Sequence, residues 1–383
     1  MYLPNYQDGS IVNLMSTILE SYDTSSLYKP LKSITASELR KSRTIVLLVI
    51  DGLGYEYVTK NGKNTVFKTY LRDKITSVFP STTATGITTF LTGLAPQQHG
   101  ITGWFMFLKE LGSVSAILPF IPRSGGLPWS TIGLSPQRIF TQPPIFKRIN
   151  AFSFLLMPKE IVDSDYTLTQ AGKAKRSGYT SMDDFFKQLR IMLRNGKKRK
   201  FIYAYWPGFD SVCHHHGSKS AHAAEHFQRL GRRLERLITS LHDTTIIITA
   251  DHGLIDTEEN RVIRLKDHPR LAETLTLPLC GEPRLAYCYV HPSKTGQFEA
   301  YVKNRLHACC HLFKSEELIK RNFFGLFEPH ENLQDRVGDY TLIMKENYVI
   351  RDRLVTEKEK HHIGNHGGVS KEEMYVPLIV ITK

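Results

Sequence analysis

No Pro-, Gln- or Ser-rich tract interrupts this 383-residue chain, and no internal repeat is visible. With hydrophobic residues at 41% and charged residues at 23%, these absences set aside the disordered and fibrous classes. No run of 18 apolar residues occurs, so no transmembrane segment is expected. The opening "MYLPNYQDGSIVNLMSTIL" lacks a basic stretch followed by an apolar one, which argues for a cytoplasmic protein without a secretion leader. Cysteine is sparse and odd in number. Cys213, Cys280, Cys288, Cys309 and Cys310 form no C-x-x-C pair, so free thiols are expected and a disulfide framework is not. Acidic residues are outnumbered, with 37 Asp and Glu against 50 Lys and Arg, for a formal charge of +13. Such a field favours anionic partners, whether phosphate esters, nucleic acid or an anionic membrane. The run Lys197 to Lys200 in "NGKKRKF" reads as a solvated turn before a strand.

What is present is a recurring buried strand with acidic residues at its end. "TIVLLVIDGLG" runs from Ile45 to Ile50 without a polar residue and then meets Asp51. "FIYAYWPGFD" ends near Asp210, "TTIIITADHG" ends at Asp251 and His252, and "MYVPLIVIT" closes the chain. Amphipathic helices lie between them; in "AAEHFQRLGRRLERLITSL", Phe227, Leu230, Leu234, Leu237 and Leu241 form one stripe with the arginines opposite. This alternation predicts an α/β fold: a doubly wound, mostly parallel sheet sandwiched by helices, with ligands bound beyond the carboxyl ends of the strands. Two segments break the pattern. Residues 104–147, rich in Pro, Gly and aromatics, read as a long loop or lid, and 256–352 as a small α+β cap. The expected division is therefore a helical lead-in at 1–40, a core at 41–255 and 353–383 carrying the lid, and the cap.

In "FPSTTATGITTFLTGLAPQQHGI", Ile87, Phe90, Leu91 and Leu94 recur on one helical face, so a helix should start near Thr82 or Thr83 and end by Gly93. Its unpaired N–H groups suit a phosphoryl group, although Ser81 or Thr82 also fits a plain N-cap. "DSVCHHHG" sets Asp210 and His214 four apart, a spacing that lets both reach one ion on a helix. In "TADHG", Asp251 and His252 end a buried strand and need a partner there.

In their order along the chain, these motifs resemble the type I phosphodiesterase and nucleotide pyrophosphatase branch of the alkaline phosphatase superfamily. The resemblance rests on "VIDGLG", "FPSTTATG…TGLAPQQHGI", "DSVCHHHG", "TADHG" and "GNHGG", from about residue 44 to the end. It implies that Thr83 is the hydroxyl nucleophile, a register fixed by the flanking "FP" and "TGLAPQQHGI". It further implies that Asp51, Asp251 and His252 join Thr83 around one divalent ion, while Asp210, His214 and His366 hold a second. Zn2+ is the family's usual metal, and Mn2+ would tolerate the same ligands. One departure stands out: relatives often carry an Asn phosphate donor three residues past the nucleophile, where this chain has Gly86. Backbone N–H groups there would have to replace it. A sulfatase is set aside because no C-x-P-x-R core occurs.

The expected function is hydrolysis of a phosphodiester or pyrophosphate bond in a small anionic, nucleotide-type substrate, through a phospho-threonine. Alternatives are a phosphomonoesterase, a phosphotransferase or phosphomutase of the same superfamily, or a basic nucleic-acid or partner-binding protein with structural metals. Against the last, the basic residues do not interleave with aromatics, so no stable nucleic-acid complex is expected. Gly86 and Trp104 are expected to touch the substrate, and Phe105, Trp129 and Phe146 either stack a base or pack the lid. His215, His216, His361 and His362 are expected beside the ligands rather than among them, and Cys213 as a packed thiol.

Overall fold

The computed structural model describes residues 1–194, 198–358 and 361–383. Its central sheet has seven strands, ordered Leu71–Thr76, Tyr375–Thr382, Thr244–Thr249, Thr44–Ile50, Lys200–Trp206, Phe152–Pro158 and Lys175–Tyr179. The last five in this order run parallel. Thr44–Ile50 lies mid-sheet, and every one of its residues is buried. That is why its sequence is continuously apolar rather than alternating: helices cover both faces.

The sheet is mostly parallel as expected, and the C-terminal strand Tyr375–Thr382 is one of its exceptions. It runs antiparallel to Thr244–Thr249 and to Leu71–Thr76. Apolar content reports burial and carries no information on direction, so this strand resembles its parallel neighbours in composition.

Helix Ala221–Ile238 buries Phe227, Leu230, Leu234 and Leu237 as its periodicity requires, leaving Arg229, Arg232 and Arg236 exposed. The N-terminal helix Ile11–Ser21 packs against helix Thr83–Thr92. Lys200 is no part of a solvated turn: it opens a central strand, is buried, and its Nζ donates to the carbonyls of Met192 and Leu193. Those carbonyls lie in the last turn of helix Met182–Arg194, where helical acceptors need a donor. Lys197 lies outside the described residues.

A second seven-stranded sheet joins segment 256–352 to segment 104–147. Its order is Cys310–Lys314, Tyr340–Met344, Leu285–Cys288, Cys280–Glu282, Phe105–Leu108, Ser113–Ala116 and Ile121–Pro122. The last three strands come from the expected loop, so 104–147 is structured sheet over part of its length. Its strands are two to four residues long: Phe105–Leu108 pairs with Ser113–Ala116 and that with Ile121–Pro122, while Gly281 pairs with Phe105 to join them to the rest of the sheet. Short pairings of that kind leave no local alternation to read. A buried bidentate ion pair, Arg284 with Glu373, ties this sheet to the core. Among the described residues, no helix is long and apolar enough to cross a membrane.

Candidate two-metal site

Three adjacent parallel strands deliver three carboxylates to one place. Asp51 follows Thr44–Ile50 directly, Asp251 and His252 follow Thr244–Thr249, and Asp210 lies in helix Gly208–His216 after Lys200–Trp206. Because the strands are parallel and neighbouring, their carboxyl ends converge at one edge of the sheet. His214 lies one helical turn beyond Asp210. Thr83 opens helix Thr83–Thr92, and His366 follows the pair Gly364–Asn365, which is bonded antiparallel to Ile255–Asp256.

The distances are those of one compact cluster. His252 Nε2 lies 3.1 Å from Thr83 Oγ1, 3.2 Å from Asp51 Oδ1 and 3.5 Å from Asp251 Oδ2. His214 Nε2 lies 3.1 Å from Asp210 Oδ2, and His366 Nε2 4.0 Å from Asp210 Oδ1. The rings of His252 and His366 stack, with centroids 3.8 Å apart. Donor atoms of Asp210, His214 and His366 lie within 4.8 Å of one another, and so do those of Asp51, Asp210 and His252. Asp210 therefore approaches both groups, whereas the resemblance places it in the second alone.

Backbone and side-chain contacts orient these ligands. The carbonyl of Gly364 takes Nδ1 of His214 at 2.7 Å, and that of Gly253 takes Nδ1 of His252 at 3.0 Å, which leaves each Nε2 for the cluster. Asp251 Oδ1 accepts N–H bonds from Gly52 and His252. Tyr205 donates its hydroxyl to Asp51 Oδ2.

The donor set fits divalent cations. Among the described residues, Asp51 Oδ1, Asp210 Oδ1, Asp251 Oδ2 and His366 Nδ1 are buried without a hydrogen-bond partner. Buried polar atoms rarely go unsatisfied, and three such carboxylates repel one another unless positive charge sits between them. Burial pushes the Asp51 carboxyl well above the carboxylate range, and the charge of Asp210 adds to this; burial and then Asp51 do the same to Asp251. For Asp210 burial works against the charge, but His214 outweighs it and holds the carboxyl below its ordinary value. Burial likewise lowers His214, yet the charge and hydrogen bond of Asp210 win and hold it at about 9. Bound cations favour carboxylate and neutral imidazole, and so would oppose the rise of Asp51, Asp251 and His214 and reinforce the lowering of Asp210.

Gly86 departs from its expected role. Its N–H donates to the carbonyl of Thr82 at 2.9 Å, so it is no free donor to a substrate. A Cβ at this position would stand 2.6 Å from Asp251 Cβ. Glycine is needed here because the helix packs directly on the strand end that carries Asp251. The N–H groups of Thr83, Ala84 and Thr85 precede Gly86, where the helix's own ladder begins. The other hydroxyls have separate uses: Ser81 donates to Gly368 O, Thr85 to Pro80 O, and Thr82 to Glu282 Oε1.

Thr83, Asp51, Asp210, His214 and His366 line a cavity of about 1370 Å3. Trp104 and Phe105 form part of its wall, while Phe146 is buried in the core and Trp129 donates Nε1–H to Ser115. His215 and His216 are exposed, the ring of His362 lies 4.3 Å from that of His214 and tilted to it, and Cys213 is a buried free thiol. Sequence reasoning passed over Tyr205 and Glu282. The first reads only as an apolar strand position, and the second is remote in sequence from every motif, although both line the same cavity.

The model of the type I phosphodiesterase / nucleotide pyrophosphatase family matches residues 45–369. No curated protein sequence matches significantly. Among solved structures, murine ectonucleotide pyrophosphatase / phosphodiesterase 5 superposes with a TM-score of 0.67 at 19% identity, covering 87% of both chains. An inactive form of that enzyme in complex with AMP gives 0.66 at 19% identity and the same coverage. Phosphonoacetate hydrolase from Sinorhizobium meliloti, in complex with phosphonoformate, gives 0.63 at 18% identity, covering 89% of this chain and 90% of that one. These likenesses establish the fold, while the family match spans every residue of the cluster just described, from Asp51 to His366. The chain thus belongs to the type I phosphodiesterase / nucleotide pyrophosphatase family, a hydrolase family of the alkaline phosphatase superfamily.

Proposed function

We propose that the protein hydrolyses a phosphodiester or pyrophosphate bond in a nucleotide-type substrate, with Thr83 as nucleophile. The observation that carries this reading is the Thr83 hydroxyl, set 3.1 Å from His252 Nε2 at a helix start and open to a large cavity. A structural metal cluster has no use for a hydroxyl in that position. Thr83 Oγ1 forms the bond to phosphorus as the bond to the leaving oxygen breaks, and water then cleaves the phospho-threonine and restores the hydroxyl. The N–H groups of Thr83 and Ala84 lie outside the helical ladder and suit a phosphoryl oxygen.

Asp51, Asp251, His252 and Thr83 would hold one divalent ion, and Asp210, His214 and His366 the other. Bound there, such ions lower the pKa of a coordinated hydroxyl or water and neutralise phosphoryl oxygens. The mixed imidazole and carboxylate donors favour Zn2+, with Mn2+ compatible. Trp104 and Phe105 supply an aromatic wall for the substrate's organic group, as support for a nucleotide-type ligand of the kind that the murine enzyme binds as AMP. A cytoplasmic location goes with this reading, supported by five free cysteines, and cell fractionation would check it.

Thr83→Ala tests the core of the proposal. Its turnover of bis-p-nitrophenyl phosphate should fall to background while elemental analysis still finds two metals per chain. Metal-dependent hydrolysis surviving in that variant would remove Thr83 from the role. Faster cleavage of the monoester than of the diester by the intact enzyme would move the assignment to a phosphomonoesterase.

A further inference from the structure

We propose that Glu282 is a positioning residue, which holds Thr83 in its reactive alignment and links that alignment to the seating of the cap and lid. The inference rests on the reading of Thr83 as nucleophile. Glu282 ends strand Cys280–Glu282 of the cap, yet its Oε1 accepts two bonds from elsewhere. One is the hydroxyl of Thr82 at 2.6 Å, the other the N–H of Trp104 at 2.8 Å. Thr82 is the residue before Thr83 and the N-cap of its helix. Trp104 is where the lid segment starts. A third contact lies behind: a Cβ on Gly367, the residue after His366, would stand 2.6 Å from Glu282 Cβ.

Each contact has a reason in the local chain. Gly281 adopts φ +85°, and a Cβ added to Gly103 would stand 2.8 Å from Gly281 Cα, so the two backbones meet at the closest approach glycine permits. That approach brings Glu282 within reach of Trp104 N–H. Thr82 carries an N-cap residue's extended backbone, yet its hydroxyl caps no N–H of its own helix. A hydroxyl diverted from the usual capping bond fixes the helix start to the cap instead. A carboxyl oxygen accepting from a hydroxyl and an N–H is a directional anchor, and although burial pushes the Glu282 carboxyl up to about 7, these same two bonds act against that rise. A displacement of Thr83 by a fraction of an ångström would misalign an in-line attack, so the anchor acts on the rate rather than on binding.

Four variants, measured beside Thr83→Ala, decide the matter: Glu282→Ala, Glu282→Gln, Thr82→Val, and Glu282→Ala combined with Thr82→Val. Glu282→Ala should lower kcat by about 10- to 100-fold with little change in KM. Thr82→Val should fall comparably, and the double variant no further than the worse single one, because both remove the same bond. Glu282→Gln keeps an accepting Oε1 and should recover most of the rate. Elemental analysis should find two metals in each. A merely structural bond would shift the melting temperature and leave kcat per folded molecule unchanged. The inference is overturned if Glu282→Ala turns over normally, if the losses add, if Glu282→Gln is as slow as Glu282→Ala, or if metal is lost. Should Glu282→Ala fail to fold, a wild-type kcat for Thr82→Val overturns it equally. Activity surviving in Thr83→Ala would instead overturn the nucleophile assignment on which the inference stands.

Discussion

Tyr205 occupies a strand position whose sequence signature is indistinguishable from core packing, yet its hydroxyl meets Asp51 Oδ2 in the buried cluster. A phenol in that place orients one oxygen and leaves the other, Asp51 Oδ1, aimed at the cluster without a partner. Tyr205→Phe keeps the ring and its packing but frees the second oxygen. It should weaken metal binding by about 10- to 100-fold, the usual cost of losing a bond that orients a ligand. A competition titration against a chelator would measure this, and an unchanged affinity would show that the hydroxyl only satisfies its own burial. Much of the cluster was legible because its residues sit in ordered motifs with fixed spacing. Tyr205 was not, since a contact between adjacent strands, paired as Val49 with Tyr205, leaves no mark within either segment. Gly86 was legible as a departure but not as a packing requirement, because the atom it avoids belongs to Asp251, far along the chain.

At the scale of elements, the hairpin of Cys280–Glu282 and Leu285–Cys288 is tied to the core by its turn. Arg284 in that turn donates Nε–H to Glu373 Oε1 at 3.0 Å and Nη2–H to Oε2 at 2.9 Å, with both side chains almost fully buried. Glu373 also accepts the N–H of Gly368, close to His366, and its own carbonyl takes the N–H of Gly253, next to His252. Burial opposes the charge on Glu373, but Arg284 outweighs it and holds the carboxyl below its ordinary value. Removing one partner leaves the other charge buried and alone. Glu373→Gln should therefore cost about 3–5 kcal/mol of stability in urea unfolding, while Arg284→Met combined with Glu373→Leu should cost distinctly less. Equal losses would mean that the pair contributes more than the avoidance of a stranded charge. The same hairpin shows where sequence reading of elements stops. Long parallel strands are visible as apolar runs because both faces are covered, whereas the strands within 104–147 are two to four residues long, too short to show an alternation of their own, and pair with one another and, through Phe105, with Gly281.

Segments 104–147 and 256–352 meet the rest of the molecule around His99, which is 2% exposed at the end of the short helix Pro96–His99. Its Nδ1 accepts the N–H of Ile101 at 3.0 Å, so that nitrogen carries no proton, and Nε2 pairs with Thr89 Oγ1 at 3.2 Å. Arg336, from 256–352, donates to Gly100 O in the adjacent turn and to Glu110 Oε1 in 104–147. Burial, then the neighbouring His330 and Arg336, hold His99 well below its ordinary value. The sign follows from which state takes up the proton. An unfolded chain protonates this histidine below about pH 6.5, whereas the folded chain keeps it neutral. The stability it contributes is therefore fully present above that pH and is lost as the pH falls toward the lowered folded value. Over that window the loss approaches about 1.4 kcal/mol per pH unit for a single group. The protein carries a formal charge of +13 with its histidines neutral, so further protonation adds to an existing excess and works in the same direction. Urea unfolding of the metal-free protein at pH 7.5, 6.5 and 5.5 should show this decline, and in His99→Gln it should be shallower although the variant starts from a lower stability. Parallel decline in the two proteins would assign the acid sensitivity to other buried imidazoles, His366 foremost, whose own value burial also lowers.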